Sequence, residues 1–377
     1  MRFYIFVSYL YLLSSLYSYV DNMQVFYIDS ILFDFNKRII KNWPNISIPP
    51  INILENKTMQ ALMKTAKNAH FNRKTGNFYF LPITVDRERI VFATQQFCSL
   101  IKTGFPKEAI IYISYDEGSC HILNKHGANC EVVNIANVPT LNNKDGKFRM
   151  KVYLLYLQNY WHFDAYTLDS DVIFIENIEK AFYNENIDLE ISSNDNRAVS
   201  QINASKSKQP NSGFGRFLPT AASRDIINDI LERAQTSSGR DQAIHSMVYN
   251  KWRGNNFKIS NGIETWMRNV KFRIIDPLLV ANGGVALCTG RNEYWKQIEI
   301  KSKNKYKMPV ALHFNWDVFN KTLTYQKLGL NMCKKLNAKM VRKFKKEVFK
   351  INCVSLWGCN KCYVHTLERK KFFINLF

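Results

Sequence analysis

At 377 residues and 46% hydrophobic composition, the chain is long enough to bury one large core or two modest ones, which excludes a polypeptide disordered throughout. The 52 basic residues against 31 acidic give a net charge of +21, a balance that favours polyanionic partners. No RNA- or DNA-binding motif accompanies that charge, and an export-type N-terminus argues against nucleic acid as the partner.

Residues 3–20 carry no charge and follow Arg2, which matches a signal peptide or short signal anchor over residues 1–20. Serines and tyrosines dilute its hydrophobicity below that of a stable span, which wants roughly 20 strongly apolar residues, so a cleaved signal is preferred. The expected location is the secretory pathway, in the ER or Golgi lumen, as a type II membrane or secreted glycoprotein. Sequons at Asn45, Asn56, Asn203 and Asn320 agree with that route. Eight cysteines form an even set, compatible with disulfides in an oxidising lumen, and Cys120 with Cys130 is one plausible bridge. Cys353, Cys359, Cys362 and His365 have spacings that suit zinc, although a disulfide cluster fits the compartment better.

Residues 21–74, with Pro44, Pro49 and Pro50, read as a stem rather than a core. A regular pattern follows. Strands are predicted over 77–85, 109–115 and 131–135, with helices over 87–102 and 118–126, an alternation that means βαβ units and a parallel sheet. A further helix over 147–159 leads through Trp161 into a strand that ends on Asp169. Arg149 and Lys151 on that helix could hold phosphates or be ordinary exposed charges.

That strand stops on two carboxylates, Asp169 and Asp171, which residue alternation would turn to one side. Hard divalent cations such as Mn²⁺ or Mg²⁺ take oxygen ligands of this kind. Alone, such a triplet is common and usually a solvated turn. Its position beyond the carboxyl end of a strand, where open α/β sheets bind ligands, raises its weight. Downstream, residues 211–217 combine a flexible glycine turn with amide and hydroxyl groups that suit a sugar. Asp241 and Gln242 open a helix running to Tyr249, where a plain N-terminal cap is the bland reading of Asp241. A short strand then leads to His313, Asn315 and Lys321. Finally, Leu336, Met340, Phe344 and Val348 recur every four residues in a basic amphipathic helix over 334–350, suited to a solvated surface or to contact with membrane or anionic glycan.

Taken in order, these pieces resemble the nucleotide-diphospho-sugar transferase family of GT-A glycosyltransferases. The resemblance rests on Leu168 to Phe174 for its Asp-x-Asp, Asn211 to Phe214 for its Asn-x-Gly-Phe, Asp241-Gln242, and His313-x-Asn315 with Lys321. It implies an α/β fold, Rossmann-like, with a mostly parallel sheet flanked by helices, over a catalytic domain of residues 75–330 followed by a basic, cysteine-containing extension over 331–377. It also implies metal ligation by Asp169, Asp171 and His313, and nucleotide-sugar contacts from Asp169, Asp171, Lys151, Asn211, Gly213 and Lys321. Asp241 would hold the donor sugar, with Gln242 beside the anomeric carbon. Family members commonly carry a tryptophan after the Asp-x-Asp and an aromatic after Asn-x-Gly-Phe, where this chain has Phe174 and Gly215.

The expected activity is metal-dependent transfer of a sugar, with retention, from a nucleotide diphosphate (a UDP-sugar) to a glycan or protein acceptor. A nucleotidyltransferase is the rival enzyme, disfavoured because Thr84 to Arg87 contains no glycine for a phosphate loop. A non-catalytic glycan- or membrane-binding protein on a transferase scaffold is the rival outside enzymes.

Overall fold

The computed structural model describes residues 44–133, 143–182, 187–194, 209–236, 241–287, 291–303, 308–315, 325, 328, 332–333 and 338–348. The expected signal segment, Asn203, Asn320, Lys321, Leu336 and the Cys353/Cys359/Cys362/His365 group lie outside the described residues. Among the described residues no helix is long and apolar enough to cross a membrane. Asn45 and Asn56 are exposed.

The segment expected as a stem supplies elements to the core. Helix α1 (Asn56–Ala66) buries Met59, Leu62 and Ala66, and β1 (His70–Asn72) pairs antiparallel with β2 (Asn77–Tyr79). Its prolines confine the irregular chain to residues before α1, while the apolar positions of α1 share one face. Each large apolar side chain so buried contributes about 1.5–3 kcal/mol. Ser47 and Ile51 also accept hydrogen bonds from Trp161 Nε1 at 2.6 Å and Tyr153 OH at 2.9 Å.

A βαβαβ unit follows: β3 (Leu81–Val85), α2 (Ile90–Lys102), β4 (Ile110–Ser114), α3 (Glu117–Lys125) and β5 (Asn129–Val132), its strands parallel in the order β3-β4-β5. All five residues of β4 are buried, as a strand covered on both faces requires. Gly104 and Gly127, at φ +92° and +81°, stop the two helices in a conformation that costs other residues strain. Asp116 caps α3 by accepting from Ser119 N at 2.8 Å. A disulfide joins Cys120 to Cys130.

Helix α4 (Asn143–Tyr160) leads into β6 (Ala165–Leu168), β7 (Val172–Phe174), β8 (Leu189–Ser193), β9 (Pro210–Phe217), α5 (Ala221–Thr236) and α6 (Asp241–Arg253). Then come β10 (Lys258–Ser260), β11 (Ile263–Thr265), β12 (Lys271–Ile274), β13 (Val280–Asn282), α7 (Gly283–Leu287), α8 (Arg291–Ser302), β14 (Ala311–His313) and α9 (Ala338–Val348). A six-stranded sheet runs β10-β11-β12-β8-β9-β6 and a three-stranded one β13-β14-β7. The α/β class and parallel units are as expected, while this second half also carries antiparallel pairs, notably β6 and β8 against β9.

Two local expectations are corrected. Residues 211–217, expected as a flexible turn, lie in an eight-residue buried strand, because β6 and β8 pair with it from both sides and its glycines meet close neighbours. The apolar stripe of α9 is Val341, Phe344 and Val348, packed with Trp295 and Leu328, rather than a strict interval of four; Met340 is only half-buried, as a 3.6-residue period dictates. A second disulfide, Cys98–Cys333, spans 235 residues and joins α2 to the segment preceding α9.

Candidate active site

Asp169, Ser170 and Asp171 form the turn by which the chain leaves β6 in one sheet and enters β7 in another. The two carboxylates therefore meet through a turn, closed by Val172 N donating to Asp169 O at 3.3 Å, and not through the strand alternation expected from sequence. His313 arrives by register: it ends β14 opposite Val172, and Phe314 N donates to Asp171 O at 3.0 Å. Its Nε2 faces Asp171 Oδ1 at 3.3 Å and Asp169 Oδ2 at 3.5 Å. The ligand atoms of these three residues lie within 4.8 Å of one another.

Gly213 of β9 forms the floor. Its carbonyl accepts from Asp169 N at 2.7 Å, and a Cβ at this position would collide with Asp169 Oδ2 and the His313 ring. Only glycine lets the strand pass beneath the two groups. Helix α2 braces the turn from the other side, with Gln96 Nε2 donating to Asp169 O at 2.7 Å and Ser99 Oγ accepting from Phe174 N at 3.0 Å.

Lys151 of α4 is buried and contacts Asp169 Oδ1 at 2.5 Å and Asp241 Oδ2 at 3.5 Å. Burial pushes its pKa down, but Asp169 and Asp241 more than offset that and raise it, so it is a cation. Burial pushes Asp169 up, yet Lys151, His313 and Arg89 hold it well below the usual carboxylate range. His313 is raised: burial opposes its charge, and the two aspartates favour it. Arg149, by contrast, donates to Gln235 O at 3.0 Å and so braces α5.

Asp241 and Gln242 open α6 against β9. Gln242 Oε1 accepts from Ser212 N at 2.9 Å, its Nε2 donates to Pro210 O, and Ser212 Oγ donates to Asp241 Oδ2 at 3.3 Å. Asn211 Oδ1 accepts from Gly213 N at 2.6 Å. The structure thus brings Asp169, Asp171, His313, Lys151, Asn211, Gly213, Asp241 and Gln242 into one region, and Lys321 is the site residue expected from sequence that falls outside the described residues.

Arg89 was not legible as a site residue. It precedes α2, with its N–H donating to Asp86 Oδ1 at 3.1 Å, so a charged helix start is its ordinary reading. Yet it lies seven residues, two helical turns, before Gln96, on the face that meets Asp169. Burial disfavours its charge, while Asp171, Asp169, Asp86 and Asp241 together raise its pKa further.

Two carboxylates and an imidazole converging on one point fit a hard or borderline divalent ion. Neither ring nitrogen of His313 makes a hydrogen bond among the described residues, as a ligand side chain held for an ion would be left.

Residues 161–327 match the model of the nucleotide-diphospho-sugar transferase family. No curated protein matches it. Similar solved structures include the bifunctional glycosyltransferase WbbM, at 8% identity and TM-score 0.44, covering 73% of this chain and 52% of that one. Mouse xyloside xylosyltransferase 1 is similar at 13% identity and TM-score 0.39, covering 63% and 97%. GlyE of Streptococcus pneumoniae TIGR4 is similar at 12% identity and TM-score 0.37, covering 72% and 64%. The chain spans about half the length of WbbM.

Proposed function

We propose that this chain is a lumenal glycosyltransferase that transfers a sugar from a UDP-sugar, with retention, to a hydroxyl of a glycan or glycoprotein, and that Asp169, Asp171 and His313 hold Mn²⁺ or Mg²⁺. The observation that carries this reading is the bridge made by Lys151 between Asp169 on the metal side and Asp241 on the sugar side. A nucleotide diphosphate sugar needs a cationic cradle for its phosphates beside a polar cup for its sugar. Residues 75–330 are the proposed catalytic domain and 331–377 a basic extension, with α9 available to anionic membranes or glycans.

The bound ion would supply charge neutralisation at the diphosphate. Lys151, Arg89 and, by family resemblance, Lys321 add cationic groups aimed at the same oxygens, where charge builds as the bond between the anomeric carbon and the β-phosphate oxygen breaks. Asp241, fixed by Ser212 and Lys151, accepts from sugar hydroxyls, and Gln242 lies against the anomeric carbon. The acceptor hydroxyl forms its C–O bond on the face the phosphate leaves, and its proton passes to the departing phosphate oxygen. Asp241 is the alternative nucleophile.

The test is turnover of a UDP- and GDP-sugar panel by the purified full chain with Mn²⁺, read as nucleotide release with and without acceptors. Asp171→Asn should keep the wild-type melting temperature and lose metal-dependent turnover by roughly 10²–10³-fold, the scale on which charge stabilisation at a transition state acts. Undiminished metal-dependent turnover in that variant would overturn the proposal.

A further inference from the structure

We propose that Asn194 reads a hydroxyl of the donor sugar through its side-chain NH₂ group, an inference that rests on the glycosyltransferase reading above. Asn194 follows the last residue of β8 and belongs to no motif that the sequence offers. Its backbone is pinned, with its N–H donating to Gln209 O at 2.7 Å and the preceding Ser193 O accepting from Asn282 Nδ2 at 2.9 Å.

Two backbone N–H groups fix the carboxamides around it. Gly213 N donates to Asn211 Oδ1 at 2.6 Å, and Gly283 N donates to Asn315 Oδ1 at 3.2 Å. A carboxamide that accepts through its oxygen has its nitrogen left to offer. Both of those nitrogens are directed at a single atom, Asn194 Oδ1, at 2.9 Å from Asn211 Nδ2 and 3.5 Å from Asn315 Nδ2. The orientation of Asn194 is therefore dictated: a flipped amide would set donors against donors. Its oxygen is committed to the relay, and its NH₂ group is turned away from both neighbours.

Among the described residues nothing accepts from that NH₂ group, and the side chain is half-buried. The relay also sits where a donor sugar would lie. Asn211 adjoins Ser212, which contacts Asp241 and Gln242, while Asn315 is two residues beyond His313. Phosphate oxygens are drawn to the cations Lys151 and Arg89, which face Asp169. What remains for a neutral N–H donor is a neutral acceptor, and a sugar hydroxyl oxygen has that chemistry.

Asn194→Asp separates the two faces of the side chain. The carboxylate still accepts from Asn211 and Asn315, but it replaces the outward donor with an acceptor. The experiment measures Mn²⁺-dependent UDP binding by calorimetry, and KM for UDP-glucose, UDP-galactose, UDP-N-acetylglucosamine and UDP-xylose with the full chain. Asn194→Asp should bind UDP within about twofold of wild type, since no nucleotide contact is touched. Its KM for the preferred sugar should rise about fivefold to tenfold, the loss of one hydrogen bond to a neutral group, and the ranking of the sugars should change. Asn194→Ala should raise that KM as well and also lower the melting temperature, because it removes the relay. A wild-type KM and sugar ranking in Asn194→Asp would overturn the assignment and leave Asn194 a structural link. A wild-type chain that binds UDP with Mn²⁺ yet turns over none of the four sugars would remove the sugar from this site. A chain that binds no nucleotide would instead sink the glycosyltransferase reading itself.

Discussion

Strands β6 and β9 carry buried charges at both ends, and the two ends are built differently. At one end Arg216 reaches Glu190, which Arg273 also meets at 3.4 Å, and Asp164 accepts from Asn72 Nδ2 at 3.1 Å, Thr75 Oγ1 at 2.6 Å and Asn77 Nδ2 at 2.8 Å. There each carboxylate is met by side chains that close around it. At the other end Asp169, Asp171 and Asp241 face Lys151, His313 and Arg89 above a glycine floor. Charges closed upon one another hold sheets together. Charges that converge where a Cβ on Gly213 would collide with Asp169 and His313 suit the metal site proposed above.

The comparison breaks most visibly at Arg216. Replacing it by Met leaves Glu190, which is fully buried, without its nearest counter-charge, and removing one partner of a buried pair costs about 3–5 kcal/mol. The expected result is a large drop in the midpoint of urea unfolding with Mn²⁺-dependent UDP affinity of the folded fraction unchanged. A weakened affinity at full stability would move this cluster into the site.

Arg89→Gln is the converse and a smaller effect. Arg89 is half-buried among Asp171, Asp169, Asp86 and Asp241, so losing its charge should weaken UDP binding by roughly tenfold, the scale of one charge-assisted hydrogen bond, with little change in melting temperature. Lowered stability at unchanged affinity would place Arg89 with Arg216, as a charge serving the fold.

How much of this was legible in sequence follows the range of the signal. The βαβ order was readable because apolar runs and glycine stops are local, as at Ile110 to Ser114 and Gly127. The approach to Asp169 was readable for the same reason, since an apolar run ends abruptly on carboxylates. What escaped depends on pairing. Strand β9 looked like a turn because Gly213 and Gly215 signal flexibility until Asp169, His313 and Ile191 are seen to crowd them. Helix α1 was hidden behind prolines, the Cys98–Cys333 bridge by 235 intervening residues, and Arg89 by resembling any charge at a helix start. The Asn194 relay has no local pattern at all, because its members come from β9, the end of β8 and the residues after β14.

The smallest effect concerns a group between the two classes. His245 lies on α6 one turn beyond Asp241, buried, with Nδ1 2.9 Å from Tyr249 OH and its ring edge-on to Phe148. Burial first, and then Lys151, push its pKa down to about 3, against opposition from Asp241 and Asp169. The folded protein therefore keeps this imidazole neutral, whereas the unfolded chain protonates it near pH 6.5. Between those values the unfolded state binds the extra proton, so stability falls as pH drops below about 6.5 and is unaffected by this group above it. The limiting slope is about 1.4 kcal/mol per pH unit. His245→Gln removes the titration, so between pH 6.5 and 5.5 its urea-unfolding free energy should fall less than that of wild type by up to about 1 kcal/mol. Parallel slopes would mean that His245 takes up its proton in the fold over the same pH range as in the unfolded chain. Below that range it would stand as a further cation beside Lys151 and belong with the charges gathered for a ligand, not with those closed in the sheet.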